Sequence, residues 1–544
     1  MKIFVEQYHY PKTLLYELFE SKLIKEVNQN FALLSFVGFY INKNQEMYVV
    51  LPKLFERNGT LFTDKAVIDF AMKDYRIVLE KEKEKVTFVQ EFIILLFRTL
   101  TNYEKENRIK SPNELPIMSR MGHKQLSTLE VVYSIIDFHR KNHRFYVKET
   151  NITNKKANKI NWNKTTKKIM PIISDKDIHY FQFKYSKSIL SQDDIVLTIF
   201  YSLLNKLKHK FSFDITLDRN IPIMYISEFI KFEKKIPKLL KKIKNFYVRD
   251  DLKKILSMLY AYYRYESDDT KKESVEYMII FDFNLLFEDM VNEVISDREH
   301  LATFKIQKDG KIIDHIFSEK SFLTKQKTLF IGDSKYYKEE YVDRYSIFKQ
   351  FTYSRNIIQE FENSRNYFDR HNILLREDVS RGYDNIPNFF IFGDINQNEY
   401  WEIPKIPIQP MLNQPPIISQ QFDNAFFDRD TLHIFHFKVN LLFLMEMYTN
   451  RKSVNRQKYK TLFRQTIRNR IADYYNNTYD VFTIENLNLM EFIKENYYSL
   501  WGKIFLIQND TAVLVLEKDK EESQMVKKII SLDSNILMLP TAFT

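Results

Sequence analysis

Two lone acids and one lysine lie inside apolar runs in the middle of the chain. The first run is Ile312-Ile313-Asp314-His315-Ile316-Phe317; the second is Thr328-Leu329-Phe330-Ile331-Gly332-Asp333-Ser334-Lys335. Side chains on a strand alternate faces, so Asp333 and Lys335 share one. Leu329, Phe330 and Ile331 supply the apolar run a buried strand needs. If the two runs pair as a hairpin, Asp314 and Asp333 converge, and Gly332 lets backbone or ligand approach closely. His315 then points to the opposite face and is read as non-catalytic. Two converging carboxylates repel, and burying them without a cation is costly. A hard divalent ion with oxygen ligands removes both problems. It also generates hydroxide and stabilises charge on a pentacoordinate phosphorus, while a nearby lysine orients water and offsets charge. Asp with Asp-x-Lys and Mg²⁺, for which Mn²⁺ can substitute, is a kit for phosphodiester hydrolysis. The competing reading is structural: Asp333 and Lys335 form an edge-strand ion pair, and Asp314 caps a turn.

The elements that must position these groups follow from the surrounding pattern. It predicts a helix over 276–296, β-like runs at Thr303–Gln307, Ile312–Phe317 and Thr328–Lys335, a helix over about 341–362, and an apolar run at Asn388–Ile395. Helix, sheet, helix, strand is an α/β signature.

This arrangement resembles the PD-(D/E)XK nuclease core, whose order of helix–β–β–β–helix–β matches 276–395. The resemblance implies a mixed sheet flanked by helices. It places the family's helical glutamate on Glu288, in Asn284-Leu285-Leu286-Phe287-Glu288-Asp289-Met290-Val291. Lys349-Gln350-Phe351-Thr352-Tyr353 is similar to the Gln-x-x-x-Tyr element of the RecB-like branch, with one residue fewer between Gln350 and Tyr353; at i, i+3 the two still share a helix face. Ile313 stands where the family has proline. By this resemblance Asp314, Asp333 and Glu288 hold Mg²⁺, Lys335 positions the water, and Gln350 and Tyr353 orient the site or the scissile phosphate.

A second resemblance covers parts of 30–170. Phe36-Val37-Gly38-Phe39-Tyr40-Ile41 followed by Met47-Tyr48-Val49-Val50-Leu51-Pro52-Lys53-Leu54-Phe55 is similar to the N-terminal hairpin of McrC-like and LlaJI-type restriction subunits. Lys159-Ile160-Asn161-Trp162-Asn163-Lys164-Thr165-Thr166 resembles an Ile-Asn-Trp-x-x-Thr element of that group, with Asn158-Lys159 where a glycine is expected. The resemblance implies the nuclease subunit of an NTP-dependent antiviral restriction system. A separate AAA+ GTPase ring would be its partner, and the N-terminal domain would dock into that ring and stimulate it. Pairing of nuclease domains is left open. Two alternatives stand beside it: an autonomous nuclease of the same fold, and a degenerate scaffold that activates an NTPase.

Composition sets the outer bounds. The chain has 544 residues, enough for about three to four domains, and 44% hydrophobic residues argue against bulk disorder. It contains no cysteine, which excludes disulfides, thiolate metal sites and a cysteine nucleophile. None of its 8 glycines frames a phosphate-cradling loop, so no nucleotide is expected to bind this chain. Net charge is +11 from 82 basic and 71 acidic residues, which suits a polyanion such as DNA and equally suits an AT-rich coding bias. The N-terminus meets Glu6 after a short apolar run and lacks a signal-peptide core. The greasiest stretches, Ile279–Leu286 and Leu432–Met447, are too short or too polar to span a membrane. The expected location is cytoplasmic.

Four regions result: a β-rich N-terminal domain over 1–115, a candidate for partner docking; a basic helical region over 116–270; the nuclease domain over 271–400; and an α+β C-terminal extension over 401–544, after the proline-rich Pro404–Pro416. Two basic groups are candidates for DNA contact. Lys155, Lys156, Lys159 and Lys164 surround Trp162 on a polar loop, a pattern for phosphate contact and base stacking, though Trp162 equally suits an anchor to its own core. Lys234, Lys238, Lys241 and Lys242 crowd a probable helix, which tracks a phosphate backbone or is simply a solvated face. His139 and His143 are at i, i+4, but the adjacent Arg140 and Lys141 disfavour a cation. His433 and His436 lie in an apolar run, where packing is the default.

Overall fold

The computed structural model describes residues 2–42, 46–55, 92–104, 117–119, 128–142, 148–156, 159–174, 177–190, 194–211, 215, 217, 223–243, 246–247, 249–266, 276–297, 301–307, 310–337, 342–395, 408–449 and 455–544. The fold is mixed α/β, and no helix among the described residues is long and apolar enough to cross a membrane.

The N-terminal sheet is built from β1 (Lys2–Val5), β2 (Val37–Ile41), β3 (Met47–Leu51) and β4 (Ile117–Ser119). β2 and β3 form the expected hairpin, and β1 runs parallel to β3. A strand from far away in sequence is inserted into it: Glu276–Ile280 pairs antiparallel with β2 on one side and with the edge strand β4 on the other. Gly38, at φ 138°, faces that crossing strand, and a Cβ there would lie 2.2 Å from the Met278 carbonyl oxygen. Only glycine tolerates both the backbone angle and the approach. The apolar spacing around Val67, Phe70, Phe88, Phe92 and Leu95 predicts a helix over 63–108; 63–91 and 105–108 lie outside the described residues, while 92–104 is helical.

The middle region, expected to be helical over 116–270, is helical on either side of a small β-rich module. α1 (Thr128–Lys141) is followed by a small module of β5 (Lys148–Thr153), β6 (Lys159–Ile160), α2 (Trp162–Lys168), β7 (Ile172–Ser174), β8 (Asp177–His179) and β9 (Tyr185–Leu190). Asn151–Lys168, expected as a loop, is therefore mostly ordered: Asn161 caps α2 by accepting from the Lys164 N–H at 3.0 Å. Helices α3 (Ile195–Phe211), α4 (Ile226–Glu233), α5 (Ile236–Ile243) and α6 (Asp250–Glu266) follow. Asp194 caps α3 itself, accepting from the Val196 and Leu197 N–H groups at 2.9 and 3.1 Å.

The 276–296 segment is not one helix. It is strand β10 (Glu276–Ile280) followed by helix α7 (Phe283–Ile295). Thr303–Gln307 is not a strand either: Ala302–Lys305 is a short helical turn, and Ile306 makes one bridge to Ile312. The second sheet contains β11 (His315–Lys320), β12 (Lys327–Lys335), β13 (Asn388–Asp394), β14 (Ile408–Pro410), β15 (Ile417–Ser419) and β16 (Leu432–Asn440). Its path is β11-β12-β13-β16-β14, with β15 also on β16; β12, β13 and β16 are parallel to one another. Helix α8 (Arg344–Asn363) makes the crossover from β12 to β13. The sheet thus runs past residue 400, and β16 is an interior strand of it, between β13 and the edge strands β14 and β15. After it, α9 (Leu441–Thr449) and α10 (Asn455–Thr478) pack on α7, and the Tyr448 hydroxyl donates to Asp289 at 2.7 Å. A four-stranded antiparallel sheet of 479–541 completes the chain.

Candidate active site

The hairpin of β11 and β12 brings the two acids together. His315 pairs with Gly332 in the antiparallel register. One residue further out, just beyond the last pair, Asp314 comes opposite Asp333. The Ser334 N–H donates to Asp314 Oδ2 at 3.2 Å, and the two carboxyl groups share a hydrogen bond. Asp333 and Lys335 occupy one face of β12 and form an ion pair; both are buried. Ser334 faces the other way and lies 2.6 Å from His315 Nε2. His315 is fully buried there, and burial holds its pKa well below the usual value. It is packing, as its strand position predicts.

Gly332 has a different role from the one expected. A Cβ at this position would lie 2.1 Å from the Phe389 ring. The close approach it permits comes from a core side chain on β13, not from a ligand.

Glu288 faces the pair from α7. Burial and Asp333 push its pKa up to about 7, against the opposing pull of Lys349, Lys335 and Lys305. Asp314 is raised well above the carboxylate range by burial, then by Asp333 and Glu288. Each raised pKa reports the same thing: like charges gathered in a space that water solvates poorly.

Helix α8 supplies the other side. Asp343 caps it, accepting from the Ser346 N–H at 2.7 Å and from the Ser346 hydroxyl at 3.0 Å. With its proton directed at Asp343, the Ser346 oxygen accepts from Lys335 Nζ at 2.9 Å. The helix cap therefore also fixes the lysine. One and two turns on, Gln350 and Tyr353 are fully buried. The Tyr353 hydroxyl donates to the Ile312 carbonyl at 2.6 Å, fastening the turn that carries Asp314. Gln350 has no hydrogen-bond partner for either amide atom among the described residues. A buried amide left in that state costs about 1–3 kcal/mol.

All six predicted site residues thus lie around one end of β12. Two were missed. Ser346 carried no motif, and Lys349 looked like an ordinary helix-surface lysine; their spacing of i, i+3 ahead of Gln350 at i+4 was the available signal. Among the described residues, no three acidic or histidine side chains form a ready-made metal cage.

The candidate DNA-contact residues stand apart. Lys155, Lys156, Lys159 and Lys164 are exposed on the β5–β9 module, and Lys234, Lys238, Lys241 and Lys242 on α4–α5 and their junction. No hydrogen bond, ion pair or ring contact joins either set to the carboxylates among the described residues. Trp162 is 55% exposed and touches Phe183 and Tyr180 edge-on, so it does not anchor a core. His139 packs against Tyr201, and His143 lies outside the described residues. His433 is buried against Asn385 and Tyr475, and His436 against Phe390 and Phe392; burial lowers both to about 4. Compared with known proteins, the chain matches no family model, and no curated protein is significantly similar to it.

Proposed function

We propose that the chain is a Mg²⁺-dependent DNA endonuclease with a PD-(D/E)XK-type core. The observation that carries this reading is the register of β11 on β12, which sets Asp314 against Asp333 with Lys335 on the same face. The donor set fits a hard cation. It consists of three carboxyl groups, of which Asp314 and Glu288 are pushed toward protonation while they face Asp333, beside a buried Gln350 amide with no partner among the described residues. Asp314, Asp333 and Glu288 would hold the ion. When bound, it supplies an activated water and charge stabilisation at phosphorus. Lys335, held by Asp333 and Ser346, positions that water. Gln350 orients the site, and Tyr353 keeps Asp314 in register through Ile312.

The chain is further proposed to act as the nuclease subunit of a McrBC/LlaJI-like restriction system, together with an AAA+ NTPase ring. One observation favours the partner-dependent form over an autonomous enzyme. Met170, Ile172, Ile173, Ile178 and Phe181 are all more than half exposed around the β7–β8 hairpin. Both strands of that hairpin are exposed throughout. A free two-stranded hairpin is marginal in water, and an exposed, mainly aliphatic patch suits a protein surface.

The test is cleavage of plasmid DNA by the purified chain with Mg²⁺, beside Asp333→Ala, with and without the candidate NTPase and GTP or ATP. Cleavage only with partner and nucleotide, lost in the variant, supports the full reading. Cleavage without the partner selects the autonomous form. No cleavage in any arm overturns the nuclease reading.

A further inference from the structure

The site holds two lysines, and they are held differently. Lys335 is 7% exposed. It ion-pairs with Asp333, donates to Ser346, and lies 5.3 Å from the Phe390 ring centroid and 5.7 Å from that of Tyr337. Its ammonium is committed within the chain. Lys349 comes from α8, where Ser346, Lys349, Gln350 and Tyr353 make one stripe at i, i+3, i+4 and i+7. The other three are buried, and Lys349 alone is half-buried. Its Nζ lies 5.6 Å from the Tyr353 ring centroid. Among the described residues it makes no ion pair; the Tyr353 hydroxyl is near enough to raise its pKa, and it feels Asp333, Asp314 and Glu288. Burial alone would lower its pKa, yet that hydroxyl and the two aspartates outweigh burial and keep it charged.

With Mg²⁺ on the three acids, the ion and Lys335 only balance their charge, so an incoming phosphodiester still gains from a further cation. We propose that Lys349 is a second catalytic cation, which binds a non-bridging oxygen of the scissile phosphate while Lys335 serves the attacking water. The proposal rests on the nuclease reading. In the hydrolysis, the water oxygen bonds to phosphorus and gives up a proton. One P–O ester bond breaks, and its oxygen takes up a proton. Lys349 stays protonated throughout and holds the oxygen that is neither attacking nor leaving.

The full-length chain, Lys349→Met and Lys349→Arg separate this role from a structural one. Two quantities are read: plasmid cleavage with Mg²⁺, with and without the NTPase, and binding of a 30-base-pair duplex in EDTA by fluorescence anisotropy across a salt series. Lys349→Met should cut kcat/KM about 100-fold, and should reduce the slope of log affinity against log salt by about one unit. Lys349→Arg keeps the charge and should retain the slope and most of the cleavage. Wild-type cleavage matched by Lys349→Met overturns this proposal alone. So does equal impairment of both variants with an unchanged slope, which marks a packing role. No cleavage by the wild type in any arm overturns the nuclease reading and this proposal with it.

Discussion

Strand β12 meets a buried acid near each end, and the two ends handle that charge in opposite ways. Near its start, the Thr328 and Ser321 hydroxyls contact Asp384. Asp384 is fully enclosed, and burial pushes its pKa up to about 7. It has hydroxyls for company and no second carboxylate among the groups that shift it, so protonation makes it harmless. At the other end, Asp333 gathers Asp314, Glu288 and two lysines. A solitary buried acid needs only a proton. A cluster of acids already interleaved with cations is shaped for another charge to enter, and that distinction separates packing from a site.

The largest expected difference between the ends is in activity. Asp333→Ala and Lys335→Met should both abolish cleavage, by about 10³-fold or more; Asp333→Ala removes one of three repelling acids and should change the melting temperature little, whereas Lys335→Met leaves Asp333 buried without its cation and should lower it. Asp384→Leu should leave cleavage intact. It removes a buried acid whose pKa burial raises to about 7, so stability at pH 8 should rise while cleavage persists. Loss of cleavage in Asp384→Leu at full stability would erase the distinction.

The pH response is next in size. Asp384 has a raised folded-state pKa, so the folded protein holds its proton longer than the unfolded chain. The resulting penalty is absent below about pH 4, grows up to about pH 7 and is complete above it. Between pH 5 and pH 8 this amounts to roughly 2–3 kcal/mol of lost stability. Asp384→Asn should remove that part of the pH dependence in urea unfolding. Glu288, also near 7, adds a penalty of the same sign, about 2 kcal/mol over the same range. Glu288→Gln should remove it.

Metal sharpens the comparison further. At pH 8, Mg²⁺ at tenfold its dissociation constant should stabilise the wild type by about 1.4 kcal/mol. Asp384→Asn should respond like the wild type. Asp333→Ala and Glu288→Gln should lose most of the response. An equal Mg²⁺ effect in all four proteins would place the ion elsewhere.

How much of this was legible in the sequence depended on range. The apolar run into Asp333 and Lys335 marks a buried strand from local pattern alone, and alternation alone separates His315 from the site. The partner of a strand is a tertiary fact. Glu276–Ile280 is a short apolar run, which reads as helix or strand equally well; what makes it β10 is Val37–Ile41, more than 200 residues earlier. Leu432–Asn440 was legible only as greasy, because a central parallel strand is apolar on both faces, and its place beside β13 is set by packing. The expected boundaries near 270 and 400 consequently meet sheets that draw on both sides of them: β10 completes the N-terminal sheet, and β14–β16 complete the second. Ser346 and Lys349 escaped notice for another reason. A serine and a lysine near a helix start are ordinary on a solvated face, and only tertiary contacts, Ser346 with Lys335 and Tyr353 with Ile312, show this face turned inward.

The smallest expected effect tests the Asp343 cap. Ser346 touches no reacting atom in the proposed chemistry; it holds Lys335 Nζ with an oxygen whose own proton is directed at Asp343. Ser346→Ala removes this acceptor, but Asp343 keeps its bond to the backbone N–H of residue 346, so the helix start should survive and stability should change by about 1 kcal/mol or less. Lys335 would keep Asp333 and lose one of two polar tethers. The expected result is a drop of about tenfold in kcat, or 1.4 kcal/mol, with KM unchanged, and recovery in Ser346→Thr, which restores a hydroxyl. A loss as deep as that of Lys335→Met would mean that Ser346 itself meets the substrate or the water. No loss at all would mean that Asp333 alone sets the lysine and that the cap and the site merely share a residue.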